Sequence, residues 1–256
     1  MLRLYRIDHG GRPLYAAERE GRWRLVDGDI FGTFTEGAEI SPEGVGLLAP
    51  VTPSKIVCVG LNYKDHAAEQ GKPLPEEPVL FIKPSTAVIG PGASIEIPDW
   101  VGRVDHEAEL GVVVGRTARR VRANRAADHI LGLTAVNDVT ARDLQKKDGR
   151  YTRAKGFDTF APVGPCIALG LDGRDLQVRG YVNGDLRQDS RTRELIFTIP
   201  ELVEYISSIM TLLPGDIIST GTPAGIGPLK PGDQVTIHVE GVGALTNGVA
   251  QQTGHV

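Results

Sequence analysis

The stretch Val104-Asp105-His106-Glu107-Ala108-Glu109-Leu110-Gly111-Val112-Val113-Val114 decides how the rest of the chain is read. From Leu110 it is apolar and β-branched and it stops at Gly115, the pattern of a buried strand. Side chains two apart on a strand share a face, so Glu107 and Glu109 point the same way. Two carboxylates beside an apolar run are costly to bury unless something neutralises them. A hard divalent cation does so, because Mg²⁺ and Mn²⁺ prefer oxygen ligands. The alternative is an exposed edge strand carrying two solvated acids.

The surrounding 256 residues allow one large domain, or one domain and a small one. Hydrophobic residues make up 41%, enough for a core. A net charge of −4 gives no global field that would favour nucleic acid. Five arginines from Arg116 to Arg125 read as a solvated turn, with anion binding as the alternative. Cys58 and Cys166 lie far apart in apolar runs without metal-ligand spacing, as core thiols of a reducing compartment would. No signal-peptide pattern and no apolar run of membrane-spanning length is present, so a soluble cytoplasmic protein without a membrane partner is expected.

Thirty-two glycines and 17 prolines predict many turns and short strands. Residues 1–52 form a small β-rich unit, Pro50 to Pro53 a linker, and residues 53–256 the main domain. Lys55 to Val59, Val79 to Ile82 and Leu133 to Val136 read as strands, as do Asp216 to Thr220, Gln234 to Glu240 and Ala244 to Ala250. Asn183-Gly184 between Val178–Val182 and Leu186–Gln188 is a hairpin signal. Asn62 to Gln70 predicts a short helix or turn, and Ile199 to Met210 an amphipathic helix with Pro200 at its start. Asn124 is expected to cap a helix to Ile130, and Thr140 one through Lys147. The fold class is α+β, mainly β.

Asp138 ends the run Ala135-Val136-Asn137-Asp138, as acids at strand ends often do. Beside Glu107 and Glu109 it offers a third oxygen ligand, a set that suits Mg²⁺ or Mn²⁺ better than zinc. Further motifs accompany these: Gly60-Leu61-Asn62-Tyr63-Lys64-Asp65-His66-Ala67-Ala68-Glu69, His106-Glu107-Ala108-Glu109-Leu110, Asn137 to Gln145, Lys155 to Pro162, and Thr220 to Gly225. Together, over roughly residues 53–250, they make the chain resemble the fumarylacetoacetate hydrolase superfamily. The resemblance implies a mixed β-sandwich roll, a divalent metal on Glu107, Glu109 and Asp138, and a homodimer. The longer members carry a further acidic ligand upstream, and the strand Ile56 to Leu61 has no acid to match it. That departure and the short N-terminal unit resemble the short branch of acylpyruvate hydrolases, oxaloacetate decarboxylases and decarboxylase/isomerases of aromatic catabolism.

Within this resemblance other residues gain candidate roles. His66 and Glu69 are three apart on one helical face, so Glu69 can orient His66 as a general base; a surface ion pair is the alternative. Gln145, two turns after Asp138, can donate to a developing oxyanion, or is a surface amide. Arg142 can bind a substrate carboxylate, or pair with Asp143 or Asp138. Lys155 is either a buried ammonium near the carboxylates or a solvated loop lysine. Thr222 sits in a glycine-rich turn that lacks a phosphate-loop ending; it can bond a substrate carboxylate or serve the turn alone. His106 faces away from Glu107 and is assigned to packing, as Tyr63 and Phe157 are to core or pocket wall. His9, His129, His238 and His255 have no evident partners.

The expected activity is cleavage of a C–C bond, by hydrolysis or decarboxylation, in a small-molecule 2-oxo acid such as an acylpyruvate or oxaloacetate. It would run through an enolate that the cation stabilises. Isomerisation of a 2-hydroxyhepta-2,4-diene-1,7-dioate, or decarboxylation of a 5-oxopent-3-ene-1,2,5-tricarboxylate, uses the same electron sink. A non-catalytic binding protein would not need the His66 base. A glycosidase would need its two carboxylates on opposite sides of a sugar bond, not two apart on one strand. The proline-rich run to Pro78 has few apolar anchors, so residues 66–78 are expected to close over bound ligand.

Overall fold

The computed structural model describes residues 1–252; His255 lies outside them. Four antiparallel strands open the chain: β1 (Leu2–His9), β2 (Arg12–Arg19), β3 (Arg22–Gly28) and β4 (Phe34–Ile40). After β5 (Lys55–Gly60) come the short helix α1 (Lys64–Glu69) and β6 (Val79–Pro84). The opening stretch becomes two strands, β7 (Val104–His106) and β8 (Ala108–Val114), broken at Glu107. Then follow β9 (Ile130–Asn137), α2 (Arg142–Asp148), α3 (Thr152–Lys155) and β10 (Ala161–Leu169). The last third holds the hairpin β11 (Gln177–Val182) and β12 (Asp185–Arg191), helix α4 (Ile199–Ile209), β13 (Ile217–Ser219), β14 (Gln234–Val239) and β15 (Gly243–Gln251).

Ten of these strands form one long sheet in the order β4-β3-β2-β1-β10-β9-β8-β13-β5-β6. The N-terminal strands are thus hydrogen-bonded into the same sheet as the site, Leu4 standing opposite Ile167. A second sheet runs β12-β11-β14-β15 and ends on the short strand Ile95–Ile97. Alternation along β8 shows why the two sheets pack. Leu110, Val112 and Val114 join Val178, Ile237, Val239 and Leu245 of the second sheet in one core, and Val113 joins a core on the opposite face with Ile56 and Ile217. Strands outweigh helices, and the architecture is the mainly β mixed sandwich roll expected of the resemblance. No helix of the described residues is long and apolar enough to cross a membrane.

Two expected caps are not formed. Thr140 pairs with Asp105 in a short strand, and its hydroxyl donates to the Asp138 carbonyl at 2.9 Å, so α2 begins at Arg142 after an uncapped Ala141. The segment around Asn124 is a 3₁₀ run, Ala123–His129, that starts after Arg122 without a side-chain cap. In both places a tertiary partner or a tighter turn outweighs the local capping preference. The Asn183-Gly184 turn does form, with φ of 52° and 85°, the left-handed pair that a two-residue hairpin requires.

Candidate active site

Antiparallel pairing of β8 with β9 sets Ala108 opposite Asn137, which brings Asp138 beside the two glutamates. The Asp138 N–H donates to the Glu107 carbonyl at 3.0 Å and clamps this corner. Glu107, Glu109 and Asp138 each place one carboxylate oxygen within 4.8 Å of the others, and all three are buried. The edge-strand alternative therefore fails: the acids face inward, in the middle of the long sheet.

Three cations balance these charges. Lys155 donates to Glu107 Oε2 at 3.0 Å and to Asp138 Oδ2, and its ammonium lies 4.7 Å from the Phe81 ring centroid. It is buried and ends α3, so it is not the solvated loop lysine that was the alternative. Lys83, wholly buried at the end of β6, donates to Asp138 Oδ1 at 2.6 Å and to the Val139 carbonyl at 3.0 Å. Arg142 donates to Asp105 and to Gln145 Oε1, both at 2.8 Å, and to Glu107 Oε1. Its ion-pair partners are thus Asp105 and Glu107, not Asp143 or Asp138 as the sequence suggested.

These contacts divide the two glutamates. Burial works against ionisation of Glu107, but the Lys155 and Arg142 charges outweigh it and hold its carboxyl below the usual range. Burial together with the charges of Asp138 and Glu107 pushes Glu109 up to about 8. Glu109 has only neutral partners, Ser219 Oγ at 2.5 Å and the Gly221 N–H at 2.9 Å, both on Oε2. Among the described residues nothing donates to its Oε1, and Glu109 lines the cavity. Three oxygen donors and one carboxylate without a cation of its own fit a hard divalent ion. Glu107, Glu109 and Asp138 are the residues that would hold it.

Another part of the wall comes from α1. His66 is buried, and its Nδ1 meets Glu69 Oε2 at 2.9 Å while its Nε2 meets the Gln70 amide nitrogen at 2.7 Å. A carboxylate accepts and an amide nitrogen donates, so the neutral ring carries its proton on Nδ1 and a lone pair on Nε2. Glu69 is fixed in turn by the Gly225 N–H at 3.1 Å. His66, Gln145, Lys155 and the three carboxylates line one cavity of about 570 Å³, together with Arg142 and Thr222. Glu69 supports it from behind His66. Gln145 gives its carbonyl oxygen to Arg142, which leaves its amide N–H₂ available to a ligand. The Thr222 hydroxyl donates to the Ala108 carbonyl at 3.0 Å and accepts from Gln188 at 2.8 Å.

Several contributors were not found from sequence. Lys83 ends an apolar strand, where a lysine normally reaches for solvent. Gln188 is wholly buried; its oxygen meets His106 Nδ1 and the Ala108 N–H, and its amide nitrogen donates to Thr222 and the Pro223 carbonyl. That ties the hairpin to the glycine-rich turn, and nothing in the polar run Asp185–Arg191 sets Gln188 apart from its neighbours. His106 is buried as assigned, and burial lowers its pKa and keeps it neutral. Tyr63 is fully buried beside this shell, and Phe157 packs on Trp100 and Phe160.

The sequence pattern described as "Fumarylacetoacetate (FAA) hydrolase C-terminal" matches residues 55–250. The chain belongs to this family. A mitochondrial oxaloacetate tautomerase of Xenopus laevis is 41% identical over 223 residues, covering 82% of this chain and 70% of that protein. The structure of a 2-hydroxyhepta-2,4-diene-1,7-dioate isomerase from Mycobacterium marinum superposes with a TM-score of 0.92 at 45% identity, over 99% of this chain and all of that one. A maleylpyruvate hydrolase from Sphingobium gives 0.82 at 31% identity, over 98% of this chain and all of that one. The fumarylacetoacetate hydrolase family thus joins relatives named for tautomerisation, isomerisation and hydrolysis of small organic acids to one fold. The three buried carboxylates fall inside the matched region.

Proposed function

We propose that this chain is a divalent-cation-dependent enzyme of 2-oxo acids in which His66 moves a proton at C3 of the substrate. The observation that carries the reading is the His66 Nε2 lone pair, oriented by Glu69 through Nδ1, on a wall of the cavity that holds Glu107, Glu109 and Asp138. A cation bound on those carboxylates supplies a Lewis acid for the oxygen charge that develops as C3 loses its proton. The chain's own residues do the rest. Gln145 offers two amide N–H donors and Lys155 a third N–H beyond its two carboxylate bonds, both suited to orienting substrate oxygens. Displacing the Gln70 amide frees Nε2 to accept the proton.

In tautomerisation C3 gives its proton to Nε2, the electron pair moves to the 2-oxygen, and that oxygen is protonated by His66 or by solvent to which His66 gives up its proton, so nothing is consumed. Isomerisation returns the proton further along the chain. Two of the relatives above are named for such steps, and their names support reading proton transfer ahead of the bond cleavage expected from sequence. Cleavage is the second reading, favoured by the hydrolase relative; there His66 deprotonates a water whose hydroxyl adds to the C4 carbonyl, the C3–C4 bond breaks with its electron pair going to C3, and C3 takes the proton back to give the 2-oxo acid and a carboxylic acid.

The test is a set of assays with Mg²⁺ or Mn²⁺: decay of the oxaloacetate enol, pyruvate release from acetylpyruvate, and isomerisation of 2-hydroxyhepta-2,4-dienedioate. The expected result is acceleration of a proton-transfer assay that falls about 10²–10⁴-fold in His66→Gln. Pyruvate release without proton transfer moves the assignment to cleavage. No acceleration in any assay overturns the reading.

A further inference from the structure

The turn that leads into α1 is held from within. Gly60 and Leu61 line the cavity, and Leu61 has a φ of 51°, a left-handed conformation that a leucine keeps only where its surroundings impose it. Asn62 follows, wholly buried, immediately before Tyr63, the N-cap of α1. Its Nδ2 donates to the Phe197 carbonyl at 3.1 Å and to the Thr220 carbonyl at 2.8 Å, and its Oδ1 accepts from the Phe197 N–H at 2.8 Å. Its backbone carbonyl accepts from the Ile196 N–H at 2.9 Å, and Tyr63 bridges Leu195. Both amide N–H donors are used, so the side chain has one orientation.

Asn62 thereby joins the start of α1, which belongs to no sheet, to the turn that holds a site carboxylate. Gly221 in that turn donates its N–H to Glu109 Oε2 at 2.9 Å; its φ is 100°, and a Cβ there would stand 2.8 Å from the Asn62 Cβ. The two sides of the tie are not equally secured. Thr220 has anchors of its own: its N–H and its Oγ1 both donate to the Leu110 carbonyl at 3.0 Å, and Ser219 pairs with Gly111. The other side-chain bonds of α1 are less sheltered: Asp65 accepts from Ser190 Oγ at 2.6 Å in a half-buried position, and Glu69 accepts from the Gly225 N–H at 3.1 Å at the surface. Loss of the Asn62 amide would therefore loosen α1 and leave the carboxylates in place.

Building on the reading of His66 as the base, we propose that Asn62 is a positioning residue that fixes how His66 approaches a substrate held at Glu107, Glu109 and Asp138. It touches neither substrate nor cation. It acts on the rate of proton transfer and not on cation binding.

The test is Asn62→Ala in the full-length protein, with Asn247→Ala as its control. Asn247 is also buried and also donates to two carbonyls, those of Gly90 and Ala93 at 2.9 and 2.8 Å, but its contacts lie outside the site. In Asn62→Ala, kcat in the assay that wild type accelerates is expected to fall about 10²-fold, the size of an ångström-scale misplacement, while Mg²⁺ affinity by calorimetry stays unchanged. Amide exchange from Asp65 to Glu69 should quicken. Asn247→Ala should move none of these readouts. Should Asn62→Ala not fold, Asn62→Ser, which leaves a hydroxyl for the orphaned backbone groups, takes its place. An unchanged kcat, an equal loss in Asn247→Ala, or a Mg²⁺ affinity that falls together with kcat overturns the positioning role and leaves the 2-oxo acid reading standing. If wild type accelerates none of the assays, that reading fails, and exchange decides the positioning role: unchanged rates from Asp65 to Glu69 overturn it, and quickened rates with intact Mg²⁺ affinity uphold it.

Discussion

At Glu107, Arg142 and Lys155 converge on one carboxylate, and Thr140 adds a longer contact at 3.3 Å. Such a group cannot be removed without consequence. Glu107→Ala would strip buried Lys155 and Arg142 of a counter-charge and is expected to cost about 3–5 kcal/mol of stability. The informative variant is Glu107→Gln, which keeps the shape and an acceptor. It should still fold, and it should lose measurable Mg²⁺ binding by calorimetry; wild-type affinity would refute the ligand assignment. At this scale the acids were legible because carboxylates beside an apolar strand demand an explanation. Lys83 and Gln188 were not, because their partners Asp138 and Thr222 are 55 and 34 residues away and no local pattern joins them.

Two elements show how local segments are held. Helix α1 is short, but it is docked: His66 and Ala67 are buried, and Asp65 accepts from Ser190 at 2.6 Å. Beyond it, residues 69–74 are exposed. Hydrogen exchange in this segment is expected to slow when oxalate binds the Mg²⁺-loaded protein, as its amides lose access to water; unchanged protection from His66 to Gln70 would remove the closing motion. At the foot of β13, buried Asp216 accepts from Ser54, Lys55 and Leu213. Burial opposes its ionisation, but the Leu213 N–H, Lys55 and Ser54 outweigh it and hold its pKa below the ordinary 3.8. A depressed acid contributes stability above its unfolded pKa and loses that contribution as pH falls through its folded one. Asp216→Asn is therefore expected to cost about 2–3 kcal/mol near neutrality, with the gap to wild type narrowing below about pH 4 in urea melts. Element types were legible wherever apolar period or turn chemistry was strong, as in β8 and at Asn183-Gly184. Caps at Asn124 and Thr140 were not: the Thr140 hydroxyl bonds the Asp138 carbonyl and Glu107 instead, and the chain at Asn124 takes a tighter 3₁₀ turn without a side-chain cap.

For the whole molecule, strand order was the least legible feature. Nothing local says that β13 lies between β8 and β5, antiparallel to the first and parallel to the second, with Ile218 opposite Val57. Assembly is likewise set by surfaces rather than by local pattern. The family resemblance leads us to expect a homodimer, which light scattering at micromolar concentration would show and a monomer mass would contradict. The late position of β13 also has a consequence during synthesis. Glu109 leaves the ribosome 110 residues before Ser219 and 112 before Gly221, a wait on the order of ten seconds at about 5–20 residues per second. Over that interval the Glu109 carboxylate has none of its final donors. The apolar flank of β8 and that of β5 both lack the strand that will lie between them. A nascent chain that stalls or is released short of residue 217 thus carries two unpaired hydrophobic edges at once, each a template for pairing with another unfinished chain. Completion of three residues, Ile217 to Ser219, closes both.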